Sequence, residues 1–195
     1  MRFCPRCARE LTVRIEGGRE RLACPDQECG FVHFGDFSIG VGAVVLREGK
    51  ALLVQRGWPP NRGAWQIPGG YVEHDEEITH SVEREVLEEA GVEATVRDLF
   101  GFRHSVGAGG PSTNIYLVFR LAAGTGEPRF DNDEIIGAGF FTIEELGRME
   151  RVQGLSTWAI RLALHLPESS GLHADVGSEW MAGRPGYRLF GLRPK

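Results

Sequence analysis

The stretch from Gly70 to Val92 constrains this chain more than any other, because it joins a glycine pair to a short acidic helix. Glu85, Glu88 and Glu89 follow helical spacing and fall within an arc of about 100° on that helix. Three carboxylates this close repel one another at neutral pH. We therefore expect a cation among them, and clustered hard oxygen ligands favour Mg²⁺ or Mn²⁺.

An apolar stripe runs along the same helix beside the carboxylates. Its members stand at four-residue steps: Ile78, Val82, Val86 and Ala90. Such a stripe faces the protein body, so the acids lie where the helix meets that body. Gly91 is well placed to end the helix in a left-handed conformation. The alternative, a solvated acidic face, would not require the glycine loop that precedes the helix.

The pattern as a whole has fixed residues at fixed spacings. They are Gly70, Glu76, Arg84, Glu85, Glu88, Glu89 and Gly91. The pattern resembles the Nudix box, and every fixed position matches. Nudix proteins are hydrolases that use divalent metal to split a pyrophosphate linked to a nucleoside or similar group. The resemblance implies an α/β fold, the Nudix α/β/α sandwich with a mixed sheet, over about residues 37–165.

The resemblance also implies roles for individual residues. It assigns metal binding to Glu85, Glu88 and Glu89, with Glu85 and Glu89 as direct ligands. Arg84 and Glu76 are expected to brace the loop and orient the acids. A carboxylate must take a proton from the attacking water. This base is either a box glutamate or an acid from a later loop, where we favour Glu134 over the alternative of a solvated loop acid.

All four cysteines lie in the first 35 residues, in two short-spaced pairs. They are Cys4, Cys7, Cys24 and Cys29. This spacing predicts a Cys₄ zinc site, structural because four thiolates leave no open position. Two β-strands around Gly17-Gly18 would form a hairpin between the pairs. The alternatives are disulfides, which are improbable in a cytoplasmic chain, or free thiols, with His33 as a spare ligand only if Cys29 fails.

Composition narrows the class of partner. The chain is 42% hydrophobic and 25% charged with a net charge of −5, which argues against a protein that coats nucleic acid. Residues 1–35 hold six arginines against five acids, and this near balance argues against a nucleic-acid surface on the zinc ribbon. No apolar run predicts a membrane span, and the N-terminus lacks the apolar core of a secretory signal. We expect a cytoplasmic protein.

Three segments follow from these patterns. We predict a zinc ribbon over 1–35, a Nudix hydrolase domain over 36–166 and a C-terminal tail over 167–195. A capping box at Thr142–Glu145 and a helix at Leu155–Leu166 close the domain. In the tail, 168–186 is expected to be loop, and 187–192 to be a final strand or an arm over a partner subunit. Many Nudix pyrophosphatases are dimers, so a homodimer is expected.

Candidates for substrate binding surround the box. They are Arg56, Trp65, Gly69, Gly70, Phe102, His104 and Tyr116. Arg56 would pair with a phosphate or be a surface charge, and Trp65 would stack on a base or belong to the core. His104 is more often structural than functional as a lone histidine. Gly40 and Gly42 would weaken their strand unless another group packs closely there.

The expected function is divalent-metal-dependent hydrolysis of a pyrophosphate bond in a nucleoside diphosphate-linked small molecule. A zinc ribbon before a Nudix domain resembles the NADH pyrophosphatases, but their Ser-Gln-Pro-Trp-Pro-Phe-Pro motif is replaced here by a different stretch beginning at Gly101. The compact arrangement is more similar to ADP-ribose and FAD pyrophosphatases, so these substrates rank first and NADH second. The alternative is a regulatory module that senses a nucleotide metabolite while its zinc ribbon contacts nucleic acid or protein.

Overall fold

The computed structural model describes residues 1–107, 112–168, 170–175 and 188–192, and within them the chain forms ten strands and three helices. The strands are β1 (Thr12–Glu16), β2 (Arg19–Ala23), β3 (Asp36–Arg47), β4 (Lys50–Arg56), β5 (Trp65–Gln66), β6 (Ala94–Val106), β7 (Ser112–Ala123), β8 (Ile135–Phe141), β9 (His173–Asp175) and β10 (Leu189–Gly191). The helices are α1 (Ile78–Ala90), α2 (Ile143–Leu146) and α3 (Gly154–His165). Two compact units result: residues 1–37 with 106–113, and residues 38–105 with 114–195.

The first unit is built on the predicted hairpin. β1 and β2 pair antiparallel, with Glu16 opposite Arg19. Gly17 and Gly18 connect them with φ of 59° and 76°, the two positive values that a type I′ turn requires. The buried core of this unit consists of Cys4, Leu11 and Cys24. So few apolar residues bury little surface, which is why a module of this size needs a cross-link or a metal.

The second unit contains a sheet of six strands within the described residues. Its order is β5-β4-β3-β7-β6, and β8 pairs with β4. The β4–β8 pairing is antiparallel and begins with Ala51 opposite Phe141. This pairing carries the loop before β8 to the end of β4, at Arg56. Residues from two distant parts of the sequence therefore meet at one edge of the sheet.

Strand residues alternate between two cores, one on each face of the sheet. From β3, Val41, Ala43 and Val45 join the core that contains α1, whereas Val44 joins the core that contains α3. β4 behaves in the same way, with Leu52 on one face and Leu53 on the other, as the two-residue period of a strand requires. The predicted α/β sandwich is therefore confirmed, with α1 against one face and α2 and α3 against the other.

The helix ends agree with the sequence signals. Gly91 caps α1 in the left-handed conformation, with φ of 63°, and its N–H donates to the Leu87 carbonyl at 2.9 Å. Thr142 and Glu145 exchange the two hydrogen bonds of the predicted capping box. The helix predicted at Leu155–Leu166 is present one residue earlier, as α3. No helix in the described ranges combines the length and apolar character that a membrane crossing needs.

The prediction of loop throughout 168–186 was wrong at one place. His173–Asp175 forms β9, which pairs antiparallel with β10. The final strand predicted within 187–192 is therefore present, and its partner strand belongs to the same chain. Phe190 of β10 packs edge-on against Phe119, with ring centroids 6.4 Å apart. Long-range pairing of this kind leaves no periodic signal in three-residue strands. Residues 176–187 lie outside the described ranges, and the arm over a partner subunit stays a prediction.

A buried ion pair fastens the segment after α3 to the sheet. Asp98 and Arg120 lie on β6 and β7 with side chains 0% and 4% exposed, and Nε of Arg120 is 3.2 Å from Oδ1 of Asp98 without hydrogen-bond geometry. Nη1 of Arg120 donates to the carbonyls of Leu166 and Pro167, at 3.3 and 3.1 Å. Oδ2 of Asp98 accepts the Gly171 N–H at 2.9 Å. Each charge thus holds one turn of the chain that follows α3.

Replacing Asp98 by alanine should lower the free energy of unfolding by about 3–5 kcal/mol, because Arg120 would stay buried without its counter-charge. Urea unfolding followed by circular dichroism measures the change. Arg188→Ala is the control, since the Arg188–Glu77 pair is partly exposed and its loss should cost about 1 kcal/mol or less. Equal midpoints for Asp98→Ala and the parent protein would show that the buried pair contributes nothing.

Candidate active site

The guanidinium of Arg84 is the centre of the acidic cluster on α1. Its Nε and Nη2 donate to the two carboxylate oxygens of Glu76, at 2.9 and 3.0 Å. Its Nη1 donates to Glu85 at 3.0 Å and to Glu88 at 2.8 Å. The sequence predicted the Glu76 pair, and the structure adds two further carboxylates. Arg84 is therefore the resident cation of the box, and its hydrogen bonds hold the pKa of Glu76 below its usual range.

Glu89 lies deeper than the other box acids. Glu89 is 7% exposed, and its Oε2 accepts the Gly69 N–H at 2.8 Å. Burial raises the pKa of Glu89 to about 8, and the charges of Glu85 and Glu134 act in the same direction. Burial also raises the pKa of Glu85, against the hydrogen bond from Arg84. A site that raises the pKa of two neighbouring carboxylates favours binding of a cation, which restores their ionised form.

The glycine pair ahead of the box lets the backbone approach these carboxylates. A Cβ at Gly70 would lie 2.4 Å from Oε1 of Glu85, so any side chain there would displace the acid. Gly69 has φ of 153°, and a Cβ on it would lie 2.1 Å from the Val41 carbonyl. The structure therefore places both predicted glycines against the acidic cluster, where they let the loop pass close to the sheet.

Tyr116 fills the space that three glycines leave open. Its ring would be 2.7 Å from a Cβ at Gly40 and 2.5 Å from one at Gly42, and its hydroxyl 2.5 Å from one at Gly69. This is the close neighbour that the glycines of β3 required. Burial raises the pKa of the Tyr116 hydroxyl, and the charge of Glu89 adds to the rise. Tyr116 is thus a neutral group that packs under the loop holding Glu89.

Glu134 lies on an ordered loop at the same edge of the sheet. Asp131 organises this loop, since its Oδ1 accepts the N–H groups of Asp133 and Ile135 at 3.0 and 3.1 Å. The Glu134 carbonyl accepts the Gly57 N–H at 2.7 Å, which ties the loop to the end of β4. The Glu134 side chain is exposed, and its charge raises the pKa of both Glu85 and Glu89. The chosen base therefore lies within electrostatic reach of the box.

The remaining substrate candidates fall into two groups. Arg56 is half-buried and its charge lowers the pKa of Glu89, so it belongs to the acidic cluster. Trp65 packs edge-on against Phe141 at 5.2 Å in the α3-side core, which is the core placement that the sequence left open. Phe102 and His104 are exposed on β6. These placements leave their roles as predictions.

Sequence reasoning missed Trp58 at this edge, and from the acidic loop of residues 131–134, which includes Asp133, it chose only Glu134. The indole N–H of Trp58 donates to Oδ1 of Asp133 at 3.0 Å, and Trp58 is 46% exposed. A signal was available, because Trp58 follows Arg56 by two residues at the end of a strand. The sequence offers Trp65, just before the box, either as a stacking residue or as a core residue, whereas the pairing of β4 with β8 brings Trp58 to the loop of Glu134.

The donor atoms of this cluster suit a hard divalent cation. Glu85 and Glu89 offer carboxylate oxygens at a position where burial and mutual repulsion oppose their ionised forms. Glu88 is 59% exposed and is held by Arg84. Among the described residues, however, the glutamates do not bring three ligand atoms within 4.8 Å of one another, and the cysteines alone meet that distance. Glu85 and Glu89 are therefore the residues that fit Mg²⁺ or Mn²⁺ best.

Comparison with known proteins decides the family. The NUDIX domain family matches residues 36–159, which is most of the chain. The chain belongs to the Nudix family. Enzymes of this hydrolase family are pyrophosphohydrolases, and the predicted box residues Arg84, Glu85, Glu88 and Glu89 lie inside the matched range.

Individual relatives are similar over the same part of the chain. ADP-ribose pyrophosphatase from Methanocaldococcus jannaschii is 30% identical over 112 residues, 57% of this chain and 66% of that protein. NAD-capped RNA hydrolase NudC from Vibrio cholerae is 32% identical over 152 residues, 75% of this chain and 51% of that protein. The crystal structure of a Nudix hydrolase from Nitrosomonas europaea has a TM-score of 0.69 at 26% identity, and covers 84% of this chain and 90% of that one.

These similarities support the predicted Nudix fold class, but they do not define the substrate. The chain spans between 32% and 66% of the lengths of the first relatives that it matches. The Nudix fold, with α1 and α3 on opposite faces of the sheet, is therefore shown.

The four cysteines of the first unit form a separate, compact cluster. The Sγ atoms of Cys4 and Cys29 are 3.6 Å apart, those of Cys7 and Cys24 are 3.5 Å apart, and all four lie within 4.8 Å of one another. A disulfide would place paired sulfurs at about 2.05 Å, so the thiols are free. Tetrahedral zinc with Zn–S bonds of about 2.3 Å separates its sulfurs by about 3.8 Å. The cluster is thus compatible with zinc.

Without divalent cations, the stability of this Nudix protein should fall as the pH rises from about 5 to about 8. In this window Glu89, with a pKa of about 8, keeps its proton in the folded chain, whereas the unfolded carboxyl, with a pKa near 4.5, has lost it. The folded state then binds more protons, so rising pH favours unfolding. The melting temperature of Glu89→Gln should fall less over this window, because that variant has no such proton to lose.

Thermal unfolding in magnesium-free buffer at several pH values checks this prediction. The difference in melting temperature between the two proteins separates the titration of Glu89 from that of the histidines, which both proteins share. Added Mg²⁺ should stabilise the parent protein more at pH 8 than at pH 6, because binding needs the ionised carboxylate. Identical pH profiles for the parent and Glu89→Gln would contradict the raised pKa.

Purified protein should contain about one zinc atom per chain, and Cys24→Ser should lose it. Cys24 is 2% exposed within the cluster, so the serine would leave three thiolates and an incomplete tetrahedron. Elemental analysis by mass spectrometry measures the metal content. His33→Ala is the matched control and should keep its zinc, because the four thiols already complete the ligand set. A metal-free parent protein, or zinc loss in His33→Ala, would contradict this assignment.

Proposed function

We propose that this protein hydrolyses the pyrophosphate bond of a nucleoside diphosphate-linked small molecule with the help of Mg²⁺ or Mn²⁺. The observation that carries the proposal is the pairing of a buried acid, Glu89, with a partly buried one, Glu85, whose pKa values are both raised at a site bordered by Arg56 and Glu134. A pyrophosphate carries negative charge, so such a site accommodates it only through bridging cations.

The residues of the chain have distinct tasks in this proposal. Glu85 and Glu89 would hold the divalent cation, and Glu88 would join them when it leaves Arg84. The metal, when bound, neutralises phosphate oxygens and makes water a better nucleophile. Arg84 and Glu76 keep the carboxylates oriented through the hydrogen bonds described above. Gly69 fixes Glu89 by donating its N–H.

Glu134 is proposed as the general base. The water oxygen forms a bond to one phosphorus atom, its proton passes to the carboxylate, and the bridging oxygen leaves with the other phosphate. The hydrogen bond from Gly57 to the Glu134 carbonyl holds this residue near the box. A box glutamate remains the alternative base, since Glu89 with a pKa of about 8 would also exchange a proton near neutral pH.

The proposed substrates are ADP-ribose or FAD first and NADH second. An ADP-ribose pyrophosphatase and NAD-capped RNA hydrolases are among the similar proteins. The compounds in those names share an adenosine diphosphate group attached through its pyrophosphate, which is the element that this site would recognise. We also propose that structural zinc holds the ribbon of residues 1–35, that 36–166 is the hydrolase domain with 167–195 as its tail, and that the protein is a cytoplasmic homodimer.

A hydrolysis panel tests the reaction and the substrate together. It compares kcat/KM for ADP-ribose, FAD, NADH, NAD-capped RNA and nucleoside triphosphates with Mg²⁺ or Mn²⁺. We expect one adenosine diphosphate-linked compound to be preferred and to yield AMP. Glu89→Gln should lower kcat at least about 100-fold through loss of charge stabilisation at the metal.

Glu73→Gln is the control for that substitution, because Glu73 is an exposed acid of the same box outside the cluster. Its kcat should stay within about twofold of the parent. Full activity of Glu89→Gln would remove the site assignment. Tight binding of one compound without turnover of any would instead support the sensing module.

A further inference from the structure

We propose that the exposed face of Trp58 is the stacking platform for the adenine base of the substrate, with Asp133 as the residue that positions it. This rests on the proposed function for the class of ligand, and it adds the residue that recognises the base. Trp58 is 46% exposed even though indole is the largest side chain that burial would favour. An exposed tryptophan beside a cluster of functional groups is a binding candidate.

The indole is held in one orientation. Its N–H donates to Oδ1 of Asp133 at 3.0 Å, which satisfies the polar atom of the ring. Asp133 itself is fixed, because its backbone N–H donates to Asp131 at 3.0 Å. A preorganised aromatic ring loses little freedom when a ligand stacks on it, so more of the stacking energy appears as affinity.

The backbone beneath Trp58 is equally constrained. Gly57 donates its N–H to the Glu134 carbonyl at 2.7 Å, and a Cβ at Gly57 would lie 2.0 Å from the Asp133 carbonyl. Only glycine therefore permits this approach of the end of β4 to the loop before β8. The close approach attaches Trp58 to the segment that carries the proposed base.

The position of Trp58 relative to the charged groups suits a nucleotide. Arg56 precedes it by two residues at the end of β4, and Glu134, which follows Asp133, accepts the N–H of the neighbouring Gly57 at 2.7 Å. Trp58 thus borders the groups that would handle phosphate. A nucleoside diphosphate presents the same order of an aromatic base, a sugar and phosphates. Of the two other indoles within the described ranges, Trp65 packs against Phe141, and Trp158 of α3 packs over Gly101 of β6.

Binding of AMP and of ribose 5-phosphate separates base recognition from phosphate recognition. The two probes differ by the adenine base, and titration calorimetry with Mg²⁺ gives both dissociation constants. The parent protein should bind AMP more tightly than ribose 5-phosphate. Trp58→Ala should weaken AMP binding about 5- to 100-fold, the range of base–aromatic stacking, and leave ribose 5-phosphate unchanged. Trp58→Phe should keep most of the affinity for AMP.

Two further variants test the positioning role and the specificity of the effect. Asp133→Ala should weaken AMP binding to a smaller extent than Trp58→Ala, and Asp133→Asn, which keeps an acceptor oxygen, should restore it. Trp158→Ala is the matched control, since Trp158 is 44% exposed, and it should bind AMP like the parent. Unchanged melting temperatures for Trp58→Ala and Asp133→Ala exclude a general loss of folding.

The outcomes decide the proposal independently of catalysis. AMP binding that Trp58→Ala leaves unchanged, an equal loss for both probes, or a parent protein without preference for AMP would each overturn it. Trp58-dependent binding of AMP in a protein that hydrolyses none of the panel would support the platform and reject the proposed hydrolysis. In an active enzyme, Trp58→Ala should raise KM for ADP-ribose with kcat within about twofold of the parent.

Discussion

The hydrogen bonds of Arg84 to three carboxylates are the interaction on which the site depends. Four acids of the box, Glu76, Glu85, Glu88 and Glu89, lie close together on or beside α1, and without a cation their repulsion would oppose both the helix and its packing on the sheet. Arg84 offers five donors in a rigid plane, so it serves Glu76 with two hydrogen bonds and still reaches Glu85 and Glu88. Glu89 remains beyond its reach. Glu89 is buried against the Gly69 N–H instead. A second cation, in addition to the Arg84 guanidinium, is therefore most needed beside Glu89.

Close packing beneath the box loop depends on glycines that make room for one large side chain. Tyr116 fits between β3 and the box loop because Gly40, Gly42 and Gly69 lack side chains there. Its ring fills the space beneath the loop whose Gly69 N–H donates to Glu89. Burial then raises the pKa of Glu89, so the same packing that orders the loop also prepares the carboxylate to exchange a proton for a metal ion.

The sequence predicts the features that depend on local interactions and misses those that depend on long-range ones. The box, the cap at Gly91, the capping box at Thr142 and the hairpin turn at Gly17-Gly18 depend on spacings of a few residues, and the structure has them all. Pairing between distant segments was not accessible. Nothing in three-residue strands indicates that β9 pairs with β10, and the choice between Trp58 and Trp65 depends on how β4 meets β8. The environment of each indole is therefore a tertiary property, whereas the acidic helix is a local one.

The box acids and the residues proposed to bind and activate the substrate lie on different kinds of structural element. The charged groups of the box are held by α1 and by a loop packed on the sheet, so their arrangement is as rigid as the core beneath them. Trp58 and Glu134 lie on two connecting segments, which hydrogen bonds at Gly57 and Asp133 join to each other. Loops tolerate substitution more readily than packed elements. Under the roles proposed for Trp58 and Glu134, substitutions in the 57–63 and 131–134 loops would change the compound that the protein recognises, while the acids that would handle the pyrophosphate stay in place.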